Sequence, residues 1–171
     1  MSAKPKTEQI CLPSSSSNHF NEWMAMASKP RAALLIDDSV EETELIVRMS
    51  AGFNIQWDVC YGGNLALDKL SYKKYQLIVL DLQLGVPPDG VELFRKIKQV
   101  SPLCPVLILS GHISNEVIIE VTKVGFAMFA QKPTVFDSNF FEQLFLALNI
   151  PRMGKDEIQE PKIVIGDGAH I

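Results

Sequence analysis

Leu77-Ile78-Val79-Leu80-Asp81-Leu82 places four continuous apolar residues directly before an acid. Continuous rather than alternating hydrophobicity is what a strand covered on both faces by helices requires. Outward from this stretch the pattern recurs. Ala32–Ile36 and Val106–Leu109 are equally short apolar runs, and Phe126–Ala130 reads as a fifth strand. Ile55, Trp57, Val59 and Tyr61 instead alternate with Gln56, Asp58 and Cys60, which suits a half-covered edge strand.

The segments between these runs carry helical spacing. Leu45, Ile46 and Met49 form one stripe, and Ala66, Leu67 and Leu70 another. Leu93, Phe94, Ile97 and Val100 form a third. Asn115 is a plausible cap for a helix through Val124, closed by Gly125. Asp137 or Ser138 could cap a last helix, on which Phe140, Phe141, Leu144, Phe145 and Leu148 make a wide apolar face. Five strands alternating with five helices predict an α/β fold with a parallel sheet. Such a fold binds ligands outside the carboxyl ends of its strands.

Composition bounds the function. The 171 residues suit one domain with tails, and 47% hydrophobic against 21% charged is ordinary globular usage. A net charge of −4 provides no electrostatic footprint for nucleic acid or an anionic membrane. Cys11, Cys60 and Cys104 show no metal-ligand spacing and read as thiols in a reducing compartment. Thr7, Glu8 and Gln9 follow Lys4 and Lys6 where a signal peptide needs an apolar run, and no run reaches membrane-span length. A cytoplasmic protein is expected. Residues 1–30 read as a flexible arm because of Pro13 and Ser14–Ser17, with Phe20, Trp23, Met24 and Met26 able to form one docking turn. Residues 31–150 are the folded domain and 151–171 a C-terminal tail, polar from Lys155 to Glu160 before an apolar Ile163–Ile165 patch.

The predicted strand ends converge on one chemistry. Strand one ends in Asp37-Asp38, strand three in Asp81, strand four in Ser110-Gly111 and strand five in Lys132-Pro133. Asp38 alone reads equally well as a helix cap; the constellation does not. With Asp89-Gly90, and with Asp38, Asp81, Ser110 and Lys132 falling 43, 29 and 22 residues apart in turn, the chain resembles the response regulator receiver family of two-component signalling over about residues 31–150. The resemblance implies a flavodoxin-like, doubly wound five-stranded parallel sheet of order 2-1-3-4-5 with five helices.

It also implies roles. Three carboxylates brought together repel one another unless a cation joins them or a proton is taken up. An all-oxygen donor set suits a hard ion such as Mg²⁺. The implied ligands are Asp38, Asp81 and the backbone carbonyl of Gln83, with Asp37 acting partly through water. Asp81 is the implied nucleophile toward a phosphohistidine on a histidine kinase or histidine phosphotransfer protein, forming an acyl phosphate. Lys132 is the implied fixed cation on a phosphoryl oxygen, with a solvated surface lysine as the plainer reading. Ser110 is the implied hydroxyl donor, and Ser110 with Phe129 the implied switch pair. Phe129 reads nearly as well as plain core, and Ser110 as a loop serine. The family often has the Lys132–Pro133 peptide cis.

The chain departs from the family pattern at 84–90, where Leu-Gly-Val-Pro-Pro-Asp-Gly is one residue longer than the commonest form. Gln83 and His112 stand two residues past Asp81 and Ser110, where the family tunes phosphoryl hydrolysis; His112 reads best as a surface residue. Too few residues follow Leu148 for an output domain. A single-domain receiver acting on an unknown downstream protein is therefore expected, with possible homodimerisation through the 138–148 helix face. It would not be a turnover enzyme. Two alternatives stand beside this. One is a receiver-fold binding module that signals without phosphorylation. The other is a haloacid dehalogenase-type phosphotransferase, which needs a second Asp where this chain has Gln83.

Overall fold

The computed structural model describes residues 29–88, 90–132, 138–150, 152–153 and 164–165. The strands are β1 (Arg31–Ile36), β2 (Ile55–Cys60), β3 (Leu77–Leu80), β4 (Val106–Ser110), β5 (Met128–Gln131) and the two-residue β6 (Val164–Ile165). The helices are α1 (Val40–Met49), α2 (Gly63–Tyr72), α3 (Gly90–Val100), α4 (Asn115–Val124) and α5 (Ser138–Ala147). All strand pairs are parallel, and the sheet order is β5-β4-β3-β1-β2-β6. The expected 2-1-3-4-5 core is therefore present, with the tail's apolar patch adding a sixth strand beside β2.

The continuous apolar runs do what their pattern demands. On β1, Leu34 and Ile36 join one core with Ala66 and Leu70 of α2, Leu93, Phe94 and Ile97 of α3, and Val121 of α4. Ala33 and Leu35 face the other way, against Ile46 and Val47 of α1 and Phe141, Leu144 and Phe145 of α5. Two cores on opposite faces of one sheet are the reason that Ala33–Ile36 of β1 and the whole of β3 are apolar and buried, while Arg31 sits at the less covered start of β1.

Several local expectations shift. The α4 cap is Ser114, whose Oγ accepts from Val117 N at 3.3 Å, so Asn115 is the first helical residue. β5 starts at Met128 rather than Phe126, and Phe126 is exposed. The α5 aromatics are core: Phe145 meets Phe53 edge-on at 4.8 Å and Phe141 at 5.7 Å. Phe141 and Phe145 are fully buried, and half-buried Phe140 meets Phe141 edge-on at 5.4 Å, so most of this aromatic cluster serves the core. The tail is fastened as well. Met153 N donates to Gly52 O at 3.0 Å, and the Arg152 guanidinium lies 5.2 Å from the Phe53 ring. The arm at 1–28, Asp89, Pro133 and Asp137 lie outside the described residues.

The long loop after β3 is anchored. Leu82 and Leu84 are buried in the first core, and a Cβ on Gly63 would meet Pro88 O at 2.1 Å, so the loop backbone sits directly on the start of α2. The Pro87–Pro88 peptide is cis.

β2 is not half-covered: Trp57, Asp58, Val59 and Cys60 are all buried. Asp58 is the polar exception inside. Its Oδ2 accepts from Tyr75 OH at 2.6 Å and Lys73 Nζ at 2.8 Å, with buried Lys69 Nζ at 3.9 Å. Burial pushes the Asp58 carboxyl up, but these donors and cations outweigh it and hold the group below its ordinary 3.8. A lowered folded value means a stabilising contribution present above 3.8 and lost as the pH falls through the folded value. Asp58→Ala, which strands Lys69, should cost about 3–5 kcal/mol in urea unfolding at neutral pH. Asp58→Asn should also lack the part of the wild-type acid transition below 3.8.

Candidate functional site

The carboxyl ends of the strands are aligned by backbone bonds that continue the sheet. Asp37 N donates to Cys60 O at 3.1 Å, Asp81 N to Ile36 O at 2.8 Å, and Lys132 N to Ser110 O at 3.0 Å. Residues immediately after β1, β3 and β5 are thereby held on one rim. A concave site there is lined by Asp37, Asp38, Ser39, Glu42, Asp81, Gln83, Gly111 and Lys132.

Lys132 organises it. Its Nζ lies 2.7 Å from Asp37 Oδ2 and 2.9 Å from Asp81 Oδ2, and it also bonds Glu42 Oε2. Its side chain is 10% exposed, so these charges meet largely out of water. Burial pulls the ammonium's pKa down, but the bonds to Asp37, Glu42 and Asp81 outweigh it and raise it above the ordinary lysine range. For Asp37 burial wins. Its carboxyl is pushed above 3.8 even though Lys132 and the Ser39 N–H, 2.9 Å away, bond to it.

Asp37, Asp38 and Asp81 each offer an oxygen within 4.8 Å of the others, Asp38 from an exposed position and the other two buried. Gln83 N donates to Asp81 Oδ1 at 3.0 Å, which keeps that backbone beside the Asp81 carboxylate. These are hard oxygen donors with surplus negative charge, a set that fits a small divalent cation. Ser110 is fully buried, and its Oγ is the one buried side-chain polar atom without a partner among the described residues. An orphaned hydroxyl beside Lys132's backbone partner is a donor in reserve.

The structure thus brings together Asp37, Asp38, Asp81, Gln83 and Lys132, with Ser110 immediately behind. Phe129 is half-buried and packs against the first core, away from the pocket lining. His112 is exposed, as read. Glu42 escaped the sequence reading because glutamates in a first helical turn ordinarily answer the helix dipole. Its signal was positional: α1 starts directly after Asp38, so its first turn overhangs the same rim.

The profile of the response regulator receiver domain matches residues 33–140. The chain is 32% identical over 115 residues to the transcriptional regulatory protein GlrR of Escherichia coli, covering 66% of this chain and 25% of that protein. It is 35% identical over 103 residues to a putative NtrX-like response regulator of Rickettsia conorii, covering 58% and 21%. The chain therefore spans about a quarter or less of the length of these relatives. The receiver domain of NtrX from Brucella abortus superposes with a TM-score of 0.59 at 25% identity, covering 68% of this chain and 98% of that one. The chemotaxis protein CheY4 of Vibrio cholerae gives 0.60 at 21% identity, covering 70% and 98%.

Lys132→Ala removes the bond that holds Asp37 down, so the folded carboxyl rises further above 3.8. A native state that binds more protons than the unfolded chain loses stability as the pH rises through that value. The variant should be about 3 kcal/mol less stable than wild type near neutral pH. The deficit should shrink as the pH is lowered toward the raised Asp37 value, read by urea titrations at neutral and acidic pH.

Proposed function

Since the chain belongs to the response regulator receiver domain family, we propose that it accepts a phosphoryl group on Asp81 from a phosphohistidine of a histidine kinase or histidine phosphotransfer protein. The observation that carries this reading is the Asp81 carboxylate itself: buried, bonded to Lys132 Nζ at 2.9 Å, and within 4.8 Å of two further carboxylates.

An Asp81 carboxylate oxygen attacks phosphorus in line. The new O–P bond forms as the N–P bond breaks, and the electron pair stays on the departing imidazole nitrogen, which then takes a proton. Asp37, Asp38, Asp81 and the backbone carbonyl of Gln83 would hold Mg²⁺, which screens the approach of one anion to another. Lys132 follows the developing charge onto a phosphoryl oxygen, and Gln83 N–H keeps Oδ1 of Asp81 oriented. Ser110 Oγ turns its free O–H toward the product, which would satisfy the orphan. That inward move would open space for Phe129, at the register position beside Ile108, to repack. Water later removes the phosphoryl group: a water oxygen forms a new O–P bond as the Asp81 O–P bond breaks, leaving the free carboxylate and inorganic phosphate.

This is stoichiometric self-phosphorylation and hydrolysis rather than turnover of a substrate. The output would be contact with a downstream protein in the cytoplasm. No helix among the described residues is long and apolar enough to cross a membrane.

With a small acyl phosphate donor and Mg²⁺, the wild type should gain one phosphoryl group that hydroxylamine removes, and Asp81→Asn none, by intact mass measurement. Equal labelling of the two proteins would overturn the reading. Identical partner affinity for wild type and Asp81→Asn after treatment with the phosphodonor and Mg²⁺ would favour a phosphorylation-independent module.

A further inference from the structure

The Lys132 ammonium has three N–H donors, and three carboxylates hold them: Asp37, Glu42 and Asp81. The three anchors differ in how firmly they sit. Asp37 is 1% exposed and fixed from behind by the Ser39 N–H. Asp81 is the acceptor itself. Glu42 stands on the first turn of α1, with its backbone pinned by the Ser39 Oγ cap, while its side chain is 35% exposed. It can leave for solvent with little desolvation cost, and the other two cannot.

We propose that Glu42 is a built-in competitor for Lys132, an exchangeable counter-anion that lowers how readily the site takes up and keeps a phosphoryl group. This rests on the reading of Asp81 as the phosphoryl acceptor. An incoming phosphoryl group brings further negative charge to an amine whose donors are all engaged. Either Glu42 withdraws and its bond to Lys132 is lost, or it stays as a like charge beside the phosphoryl oxygens. Both routes reduce occupancy. The same carboxylate has the opposite effect on a bare cation, because it adds to the negative field of Asp37, Asp38 and Asp81. Glu42 therefore favours the metal-loaded, unphosphorylated state. It is a positioning residue, acting through Lys132.

The opposed signs make the test. Glu42→Gln keeps the shape and removes the charge; Glu42→Ala removes both. Affinity for the beryllium trifluoride anion, a stand-in for the phosphoryl group, would be measured by calorimetry at saturating Mg²⁺, and affinity for Mg²⁺ alone in a second titration. Both variants should bind beryllium trifluoride about tenfold more tightly than wild type, with the gain shrinking in high salt, and bind Mg²⁺ about two- to threefold more weakly. A merely structural loss at the site would weaken both ligands together. Unchanged or weaker beryllium trifluoride binding in the variants, with wild type binding normally, would overturn the competitor role and leave the acceptor reading standing. No binding or labelling of wild type at all would remove the acceptor reading and this inference with it.

Discussion

One ammonium gathers acids from three other elements. Lys132, just past β5, reaches Asp37 after β1, Glu42 on α1 and Asp81 after β3, across sequence separations of 95, 90 and 51 residues. Without it, two buried carboxylates and two partly exposed ones would face one another at the rim of a dry sheet, and repulsion would open the crevice. The sheet in turn delivers the lysine. The Lys132 N–H bond to Ser110 O extends the β4–β5 ladder by one residue, so the side chain leaves the rim at a fixed point. Neither the ion cluster nor the strand order has meaning for the site alone.

The arrangement also separates two kinds of buried charge. Around Asp58 the cations outnumber the acid, and the carboxyl is held down. Around Lys132 the acids outnumber the cation, and Asp37 is pushed up. The first cluster is satisfied as it stands and serves packing beside β2. The second is short of positive charge and holds an unpartnered Ser110 hydroxyl. A site that is left both electrostatically and hydrogen-bond incomplete is one that expects a ligand, and its two deficits are of the kinds that a divalent cation and a phosphoryl group respectively meet.

What could be read from the sequence follows the strength of the physical constraint behind each residue. β1, β3 and β4 were legible because burial on both faces forbids polar residues, leaving runs that little else produces. The strand-end residues were legible because parallel strands put all their carboxyl ends on one side. β2 was misread because Asp58 looks like an outward polar residue when only periodicity is considered; nothing local announces that Lys69, Lys73 and Tyr75 fold over it. The α4 start moved by one residue because Ser114 and Asn115 are both good caps, and backbone geometry rather than chemistry chose between them. The α5 phenylalanines looked excessive because Phe53, their edge-on partner, lies far away in the chain.

Glu42 was invisible for a different reason, and that reason bears on how far a shared fold specifies behaviour. The acids at the strand ends are placed by the sheet, whereas the first turn of α1 is an ordinary exposed helix start that only happens to overhang the rim. Substitution there leaves both cores untouched, since Glu42 is absent from each of them. With Asp81 as the proposed acceptor, phosphoryl uptake would rest on acids that the sheet itself places. Its balance would rest on a first-turn glutamate that neither core contains, through a single contact with the amine at the centre of the crevice.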